Sequence, residues 1–273
     1  MIFNCGKFQL NLNRPHVMGI VNVTPDSFSD GGKFNTTNQA VEHALQLIVD
    51  GADILDIGGE SSRPGAVPVS LDDELNRVIP VIEALIKVST IPISIDTYKP
   101  EVMRQAIAAG ASIVNDIRAL QEVSALEVVA SSNVAVCLMH MQGTPQTMQI
   151  QPKYVDVITE VRQFLLDRLN VLLSNGVDNS RILLDPGFGF GKTREHNISL
   201  IKHLDQLVDI GQPLLVGLSR KAILGSIAGA DEQQRLHAGI AASVVSAMKG
   251  AKIVRVHDVK ATVDALKVVT AVL

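Results

Sequence analysis

The sequence predicts an α/β protein: a single-domain (β/α)8 TIM barrel over residues 1–273, with a short N-terminal β-hairpin. Three observations lead there. Eight short apolar, β-branched runs recur along the chain, and they are mostly continuous rather than alternating, the pattern of strands buried on both faces. The segments between them carry helical spacing. The runs begin at 16, 53, 91, 112, 134, 181, 213 and 253. Their mean separation of about 34 residues suits repeated βα units, and eight units in roughly 250 residues are the dimensions of a barrel. A doubly wound open sheet is the alternative, but eight parallel strands would leave two edges, and no short charged strand is present to blunt either.

Taken in order, residues 1–12 hold Gly6 between short apolar stretches and read as a hairpin closing the bottom of the barrel. The strand runs are 16–22, 53–58, 91–96, 112–116, 134–140, 181–185, 213–217 and 253–257. Residues 37–49 place Val41, Ala44, Leu45 and Ile48 at helical spacing, and residues 72–88 do the same with Leu75, Val78, Ile79, Ile82, Leu85 and Ile86. A helix over 233–249 is rich in small residues, which permits close packing on the sheet or on a second subunit. No Gly/Ser linker or composition shift divides the chain.

Composition removes several function classes. Lys and Arg number 24 against 28 Asp and Glu, a net charge of −4, which offers no field to gather nucleic acid or an anionic membrane. Aromatics are 3% with no Trp, so no base-stacking platform is available. The two cysteines, Cys5 and Cys137, cannot build a disulfide framework, and Cys137 lies in an apolar run where a buried thiol is expected; a reducing, cytoplasmic setting follows. The N-terminus shows no secretory signal, and the longest uncharged stretch, 128–152, is too interrupted by polar residues to span a bilayer.

The functional signal is where the strands stop. All eight runs end in hydrogen-bonding or ionisable groups: Asn22, the Gly58-Gly-Glu-Ser-Ser-Arg63 turn, Asp96, Asn115-Asp116, His140, Asp185, Ser219-Arg-Lys221 and Arg255-Val-His257. In a β/α barrel these ends form one rim, where active sites are built. Each has a plainer reading. Asp96 could cap the helix entered through Pro100, Asn115-Asp116 could be a satisfied loop pair, and Arg255 could pack outward in internal salt bridges. The Asp185-Pro-Gly-Phe-Gly-Phe-Gly-Lys192 loop is harder to dismiss, because three alternating glycines cost conformational entropy. Arg255 and His257 share a face, and an inward cation calls for an anionic partner. Residues 58–65 offer backbone N–H groups, two hydroxyls and an Arg fork for phosphate or carboxylate. No P-loop, dinucleotide fingerprint, His-Glu-x-x-His or Gly-x-Ser-x-Gly occurs, so neither a zinc site nor a covalent nucleophile is indicated. A Mg²⁺ held by one side-chain oxygen, which Asn22 could donate, with substrate phosphates completing its shell remains compatible.

The segments Gly19-Ile-Val-Asn-Val-Thr-Pro-Asp-Ser-Phe-Ser-Asp-Gly-Gly32, Asp56-Ile-Gly-Gly-Glu-Ser-Ser-Arg-Pro-Gly65, Ser94-Ile-Asp-Thr-Tyr98, Asn115-Asp116, Leu184-Asp-Pro-Gly-Phe-Gly-Phe-Gly-Lys192, Gly217-Leu-Ser-Arg-Lys221 and Arg255-Val-His-Asp-Val259 closely resemble, in order, those of the dihydropteroate synthase family of bacterial folate biosynthesis. The resemblance implies a transferase that joins 6-hydroxymethyl-7,8-dihydropterin diphosphate to 4-aminobenzoate, releases diphosphate, is targeted by sulfonamides and is a homodimer. It implies that Asp96, Asn115, Asp185 and Lys221 hold the pterin. By the same resemblance Arg255, His257, Asn22 and Ser62 would form the diphosphate and Mg²⁺ set, and Arg63, Pro64, Phe28, Phe190 and Ser219 the aminobenzoate side. Asp96, Arg255, His257 and Lys221 are the implied catalytic groups. One departure is visible: Ser62 stands where the family commonly has Thr, losing a methyl and keeping the hydroxyl. A pterin-binding methyl-transfer domain or a non-catalytic pterin-binding paralogue are the alternatives; the first would leave the Arg-x-His pair and the Ser-Ser-Arg-Pro loop without a purpose.

Overall fold

In the computed structural model, which describes residues 1–24, 33–229, 231 and 234–272, the chain begins with β1 (Ile2–Cys5) and β2 (Phe8–Asn11), paired antiparallel about a turn whose Gly6 has φ +59°. Their buried side chains Phe3 and Cys5, with Leu12, pack on Met18, Ile54, Ile113, Ala135, Cys137, Leu183, Leu215 and Ile253. Those eight residues sit on seven parallel strands and face inward. The hairpin therefore plugs the end of the barrel away from the polar strand ends.

The barrel strands are β3 (His16–Asn22), β4 (Ile54–Gly58), β5 (Ile93–Asp96), β6 (Ile113–Asp116), β7 (Ala135–Met139), β8 (Ile182–Asp185), β9 (Leu215–Val216) and β10 (Ile253–Val256). They pair in parallel in the order β8-β7-β6-β5-β4-β3-β10-β9. A parallel bridge between Leu184 and Leu214, with Leu184 N–H donating to the Pro213 carbonyl at 3.1 Å, joins the two ends. This closure answers the open-sheet alternative: β8 and β9 are not left as edges.

Between the strands run α1 (Lys33–Val49), α2 (Leu71–Leu85), α3 (Pro100–Ala109), α4 (Ala125–Ala130), α5 (Val157–Ser174), α6 (Arg194–Lys202), α7 (Asp205–Val208), α8 (Ala222–Ala228), α9 (Leu236–Met248) and α10 (Val259–Val272). The helix expected at 72–88 ends three residues earlier, and the one expected at 233–249 starts at Leu236. Ser70 caps α2, accepting from the Asp73 N–H at 3.1 Å, and three acids in the first turn complement the helix dipole. Successive side chains on each strand alternate across the barrel wall. Val17, Val21, Leu55, Ile57, Ile93, Ile95, Val114 and Val136 face the helices and pack with Val78, Ile82, Leu85, Val161 and Leu165 in one continuous core. The inward set is apolar at the hairpin end and polar above it. Register places Asn22, Gly58, Asp96 and Asn115 side by side at that polar level.

Candidate active site

Arg255 faces into the barrel, and its anionic partners come from the protein. Its Nε donates to Asp56 Oδ2 at 2.5 Å and its Nη2 to Asp96 Oδ2 at 2.6 Å. Asn115 Nδ2 donates to the same Asp56 oxygen at 3.1 Å. Burial alone would lower the guanidinium's pKa, but the two carboxylates hold it above its ordinary value. Burial, together with the like charge of Asp56, pushes Asp96 up to about 7 against the pull of Arg255. Asp96 does not cap α3; Thr97 Oγ1 accepts the Lys99 N–H at 3.2 Å instead, leaving the Asp96 side chain to the barrel interior.

Asp185 ends β8 with Oδ1 accepting the Gly187 N–H at 2.7 Å, and burial raises its pKa. Across from it Lys221 donates to the Phe188 carbonyl and lies 4.6 Å from the Phe190 ring centroid. Burial lowers Lys221 to about 8, opposed by the Asp185 charge. The glycine loop after Asp185 is built around a second, deeper lysine. Lys192, 2% exposed, is hydrogen-bonded to His140 Nδ1 at 2.8 Å and donates to the Gly187 carbonyl at 2.9 Å and the Phe190 carbonyl at 3.0 Å. A longer contact of 3.4 Å reaches the His140 carbonyl, so four polar partners surround the amine. Gly187 is required twice over: its φ is +67°, and a Cβ there would stand 1.9 Å from the His140 carbonyl oxygen.

On β10 and the turn after β9, Ser219 Oγ lies 3.0 Å from His257 Nδ1 and accepts the His257 backbone N–H at 3.2 Å. The hydroxyl has two lone pairs and one proton, so it can accept that N–H and still give its own proton to Nδ1, the arrangement in which Nε2 carries the ring proton and presents a donor. Burial, reinforced by the Arg220, Arg255 and Arg63 charges, lowers His257 to about 4 and keeps it neutral. Ser62 is partly buried while Arg63 and Pro64 are exposed on the loop that follows β4. That loop is clamped at its base. Glu60 accepts from the Val69 N–H at 3.1 Å, the Tyr98 hydroxyl at 3.1 Å and Lys99 Nζ at 2.5 Å. Lys99 also bonds Glu74 at 2.5 Å and the Val69 carbonyl at 2.7 Å.

The structure thus gathers Asp96, Asn115, Asp185, Lys221, Arg255, His257, Ser219 and Asn22 at the polar strand ends, with Phe190 beside Lys221. Asp116 and His140 separate from them. Asp116 accepts the Arg118 and Leu120 N–H groups at 2.7 and 2.8 Å, the satisfied loop role weighed for it. His140 is held by Lys192 and packs edge-on to Phe164, with centroids 4.9 Å apart. Phe28 lies outside the described residues. Asp56 and Lys192 stand inside quoted motifs, yet their parts in the site were not foreseen. Strand parity was the available signal for Asp56: it lies two residues before Gly58, on the same inward face.

A protein-caged metal does not fit, because among the described residues no group of three His, Cys, Asp or Glu could hold one. A Mg²⁺ that keeps phosphate and water ligands does fit. Asn22 makes no side-chain hydrogen bond among the described residues, and its Oδ1 would lie 3.8 Å from a Cβ at Gly58, so the missing side chain leaves room beside it.

Residues 18–257 match the family described as pterin binding enzyme. The dihydropteroate synthase of Escherichia coli K12 is 52% identical over 264 residues, 97% of this chain and 94% of its own. Solved structures of the Xanthomonas albilineans dihydropteroate synthase superpose with TM-score 0.94 in complex with 4-aminobenzoic acid (51% identity, covering 99% and 97% of the two chains). The same enzyme with 7,8-dihydropteroate gives 0.91 (49%, covering 100% and 98%). The Yersinia pestis dihydropteroate synthase with a sulfonamide drug gives 0.94 (48%, covering 100% and 99%). The chain belongs to the pterin binding enzymes and, within them, to the dihydropteroate synthases.

Proposed function

We propose that this chain condenses 6-hydroxymethyl-7,8-dihydropterin diphosphate with 4-aminobenzoate, giving 7,8-dihydropteroate and diphosphate. The observation that carries the reading is the single mouth in which a half-buried acid (Asp96), a buried acid (Asp185) and a buried amide (Asn115) stand beside cations (Arg255 and Lys221). A pterin's amino-pyrimidinone edge presents adjacent donors that a carboxylate accepts, and its ring acceptors suit Asn and Lys donors. Asp96, Asn115, Asp185 and Lys221 take those roles. Arg255, the His257 Nε2–H and Ser62 face the diphosphate.

The chemistry is electrostatic. The methylene carbon–oxygen bond to diphosphate breaks, and the bonding pair leaves with diphosphate, whose growing charge Arg255 and His257 stabilise. Asp96 stabilises the cationic pterin methylene that results. The arylamine nitrogen then bonds that carbon, and its proton passes from the arylammonium to diphosphate or water, so no strong protein base is required. Asn22 would hold a magnesium ion, which would supply further neutralisation of the leaving group. Arg63, Pro64, Phe190 and Ser219 form the aminobenzoate side, where sulfonamides compete; Phe28 is assigned to it from sequence alone.

The chain pairs with a second copy. α8, α9 and α10 leave Ile227, Leu236, Val245, Met248 and Val268 between 37% and 65% exposed, an apolar surface a partner would cover. Light scattering reads a dimer if so and a monomer if not. No helix among the described residues is long and apolar enough to cross a membrane, and a cytoplasmic location is part of this reading. The catalytic reading is tested by incubating both substrates and detecting 7,8-dihydropteroate with equimolar diphosphate. Release of diphosphate without that product would sink it. Positional oxygen exchange in bound pterin diphosphate is expected for the dissociative course. Its absence, with a rate that depends steeply on arylamine basicity, would remove that course alone.

A further inference from the structure

Asp56 is fully buried in the middle of β4, and one of its oxygens does two things. Oδ2 accepts Arg255 Nε at 2.5 Å and Asn115 Nδ2 at 3.1 Å, while Oδ1 has no partner among the described residues. Ser94, beside Asp56 in register on β5, likewise leaves its buried Oγ unpartnered. A buried acid that leaves an oxygen unsatisfied is a poor device for stability; an apolar residue of similar size serves better. What the carboxylate does instead is tie together two groups from different strands. On the reading above, one of them meets diphosphate and the other meets the pterin.

The Arg255 fork shows why two acids are needed. Nε is bound by Asp56 and Nη2 by Asp96, while Nη1 makes no hydrogen bond among the described residues. When Asp96 turns to the donors of a bound pterin, Asp56 remains as the anchor of the guanidinium. We propose that Asp56 is a positioning residue for the condensation, holding Arg255 and Asn115 at a fixed separation so that the diphosphate cation and the pterin-reading amide act on one substrate at once. This rests on the substrate placement proposed above. Asp56 does not touch substrate; it acts through the two residues that do.

The charged groups that bear on Asp96 are Arg255 on β10, Asp56 on β4, Glu74 on α2, Asp116 on β6 and Lys221 before α8. Removing the Asp56 charge takes away a like charge and leaves Arg255 to Asp96 alone. Both changes favour the ionised Asp96. The test uses Asp56→Asn, which keeps size and an acceptor oxygen but loses the charge, and Asp56→Ala, which loses both. Each is measured by steady-state kinetics with either substrate varied, across pH, with thermal unfolding alongside.

Asp56→Ala should raise KM for pterin diphosphate about tenfold, the loss of a charge-assisted contact, and leave KM for 4-aminobenzoate near the parent value. Asp56→Asn should move the acid limb of kcat/KM for pterin diphosphate to lower pH by about one unit. The pair Asp56→Ala and Arg255→Lys should be little worse than Arg255→Lys alone. Equal losses for both substrates that track a lowered Tm, with the Asp56→Asn acid limb unmoved, would overturn the inference. If Asp56→Ala does not fold, the Asp56→Asn profile decides. Should Arg255→Lys and Asn115→Ala keep the parent KM for pterin diphosphate, the substrate placement itself fails. If those two lose affinity while both Asp56 variants behave as the parent, only the positioning role fails.

Discussion

Replacing Lys192 with Met separates what shapes the glycine loop from what touches substrate. Lys192 Nζ is bonded to His140 Nδ1, the Gly187 carbonyl and the Phe190 carbonyl at 2.8–3.0 Å, in a site 2% exposed. Met fills the volume and strips the bond from His140 Nδ1 and the Phe190 carbonyl, while the Gly187 carbonyl keeps the Phe190 N–H at 3.1 Å. A buried orphaned group costs about 1–3 kcal/mol, so two cost several. The relief of not burying an ammonium, whose pKa the burial holds well below its ordinary value, offsets part. A net loss of about 2–4 kcal/mol follows, read as a Tm drop of roughly 5–15 °C for a domain of this size. The sign with pH is set by the same depression. Between its folded and unfolded pKa values the unfolded lysine binds a proton that the folded one resists, so the parent loses stability as pH falls, and Lys192→Met lacks that loss. The stability gap should be widest in alkali and narrow toward acid. Because the loop carries Phe190, KM for 4-aminobenzoate should rise several-fold more than KM for pterin diphosphate. Differential scanning fluorimetry across pH and two-substrate kinetics measure both. A variant with the parent Tm and parent KM values would refute the reasoning.

Gly187→Ala should cost more than about 3 kcal/mol, since it combines a positive φ with a Cβ 1.9 Å from the His140 carbonyl oxygen; soluble, fully active protein with the parent Tm would contradict this. The pH profile of kcat/KM for pterin diphosphate should be bell-shaped. Asp96 must be ionised to accept, so activity falls below about 7, and Lys221 must be protonated to donate, so it falls above about 8. Lys221→Arg should move the alkaline limb upward, and a limb that stayed in place would assign it elsewhere. Ser62→Thr should leave pterin-diphosphate affinity near the parent value, as both side chains offer a hydroxyl; calorimetry showing a large gain would make the missing methyl functional.

Strand positions were legible because burial on both faces writes continuous β-branched runs. β3 matches the expected 16–22 in full, and the other seven strands lie within their expected spans. Closure was less legible, because it rests on a single bridge beside the two-residue β9. At the site, polar strand ends pointed to the mouth as a set but not to the direction of each side chain. Asn115 and Asp116 are adjacent, and alternation sends one into the barrel and the other to cap its own loop. His140 follows the last residue of β7 and is out of phase with the inward Ala135 and Cys137, so its ring meets Phe164 and Lys192 rather than the mouth. The pairing of Arg255 with Asp56 and Asp96 joins three strands far apart in sequence. Only the register, in which β10 lies beside β3 and β3 beside β4, brings them together.

The most direct measurement is diphosphate release followed with pterin diphosphate alone, with 4-aminobenzoate alone and with both, for the parent and for Arg255→Ala and Asp96→Ala. Sustained release should require both substrates, end in equimolar 7,8-dihydropteroate and fall by about 10²–10³ in each variant. Release from the variants at the parent rate would contradict the account.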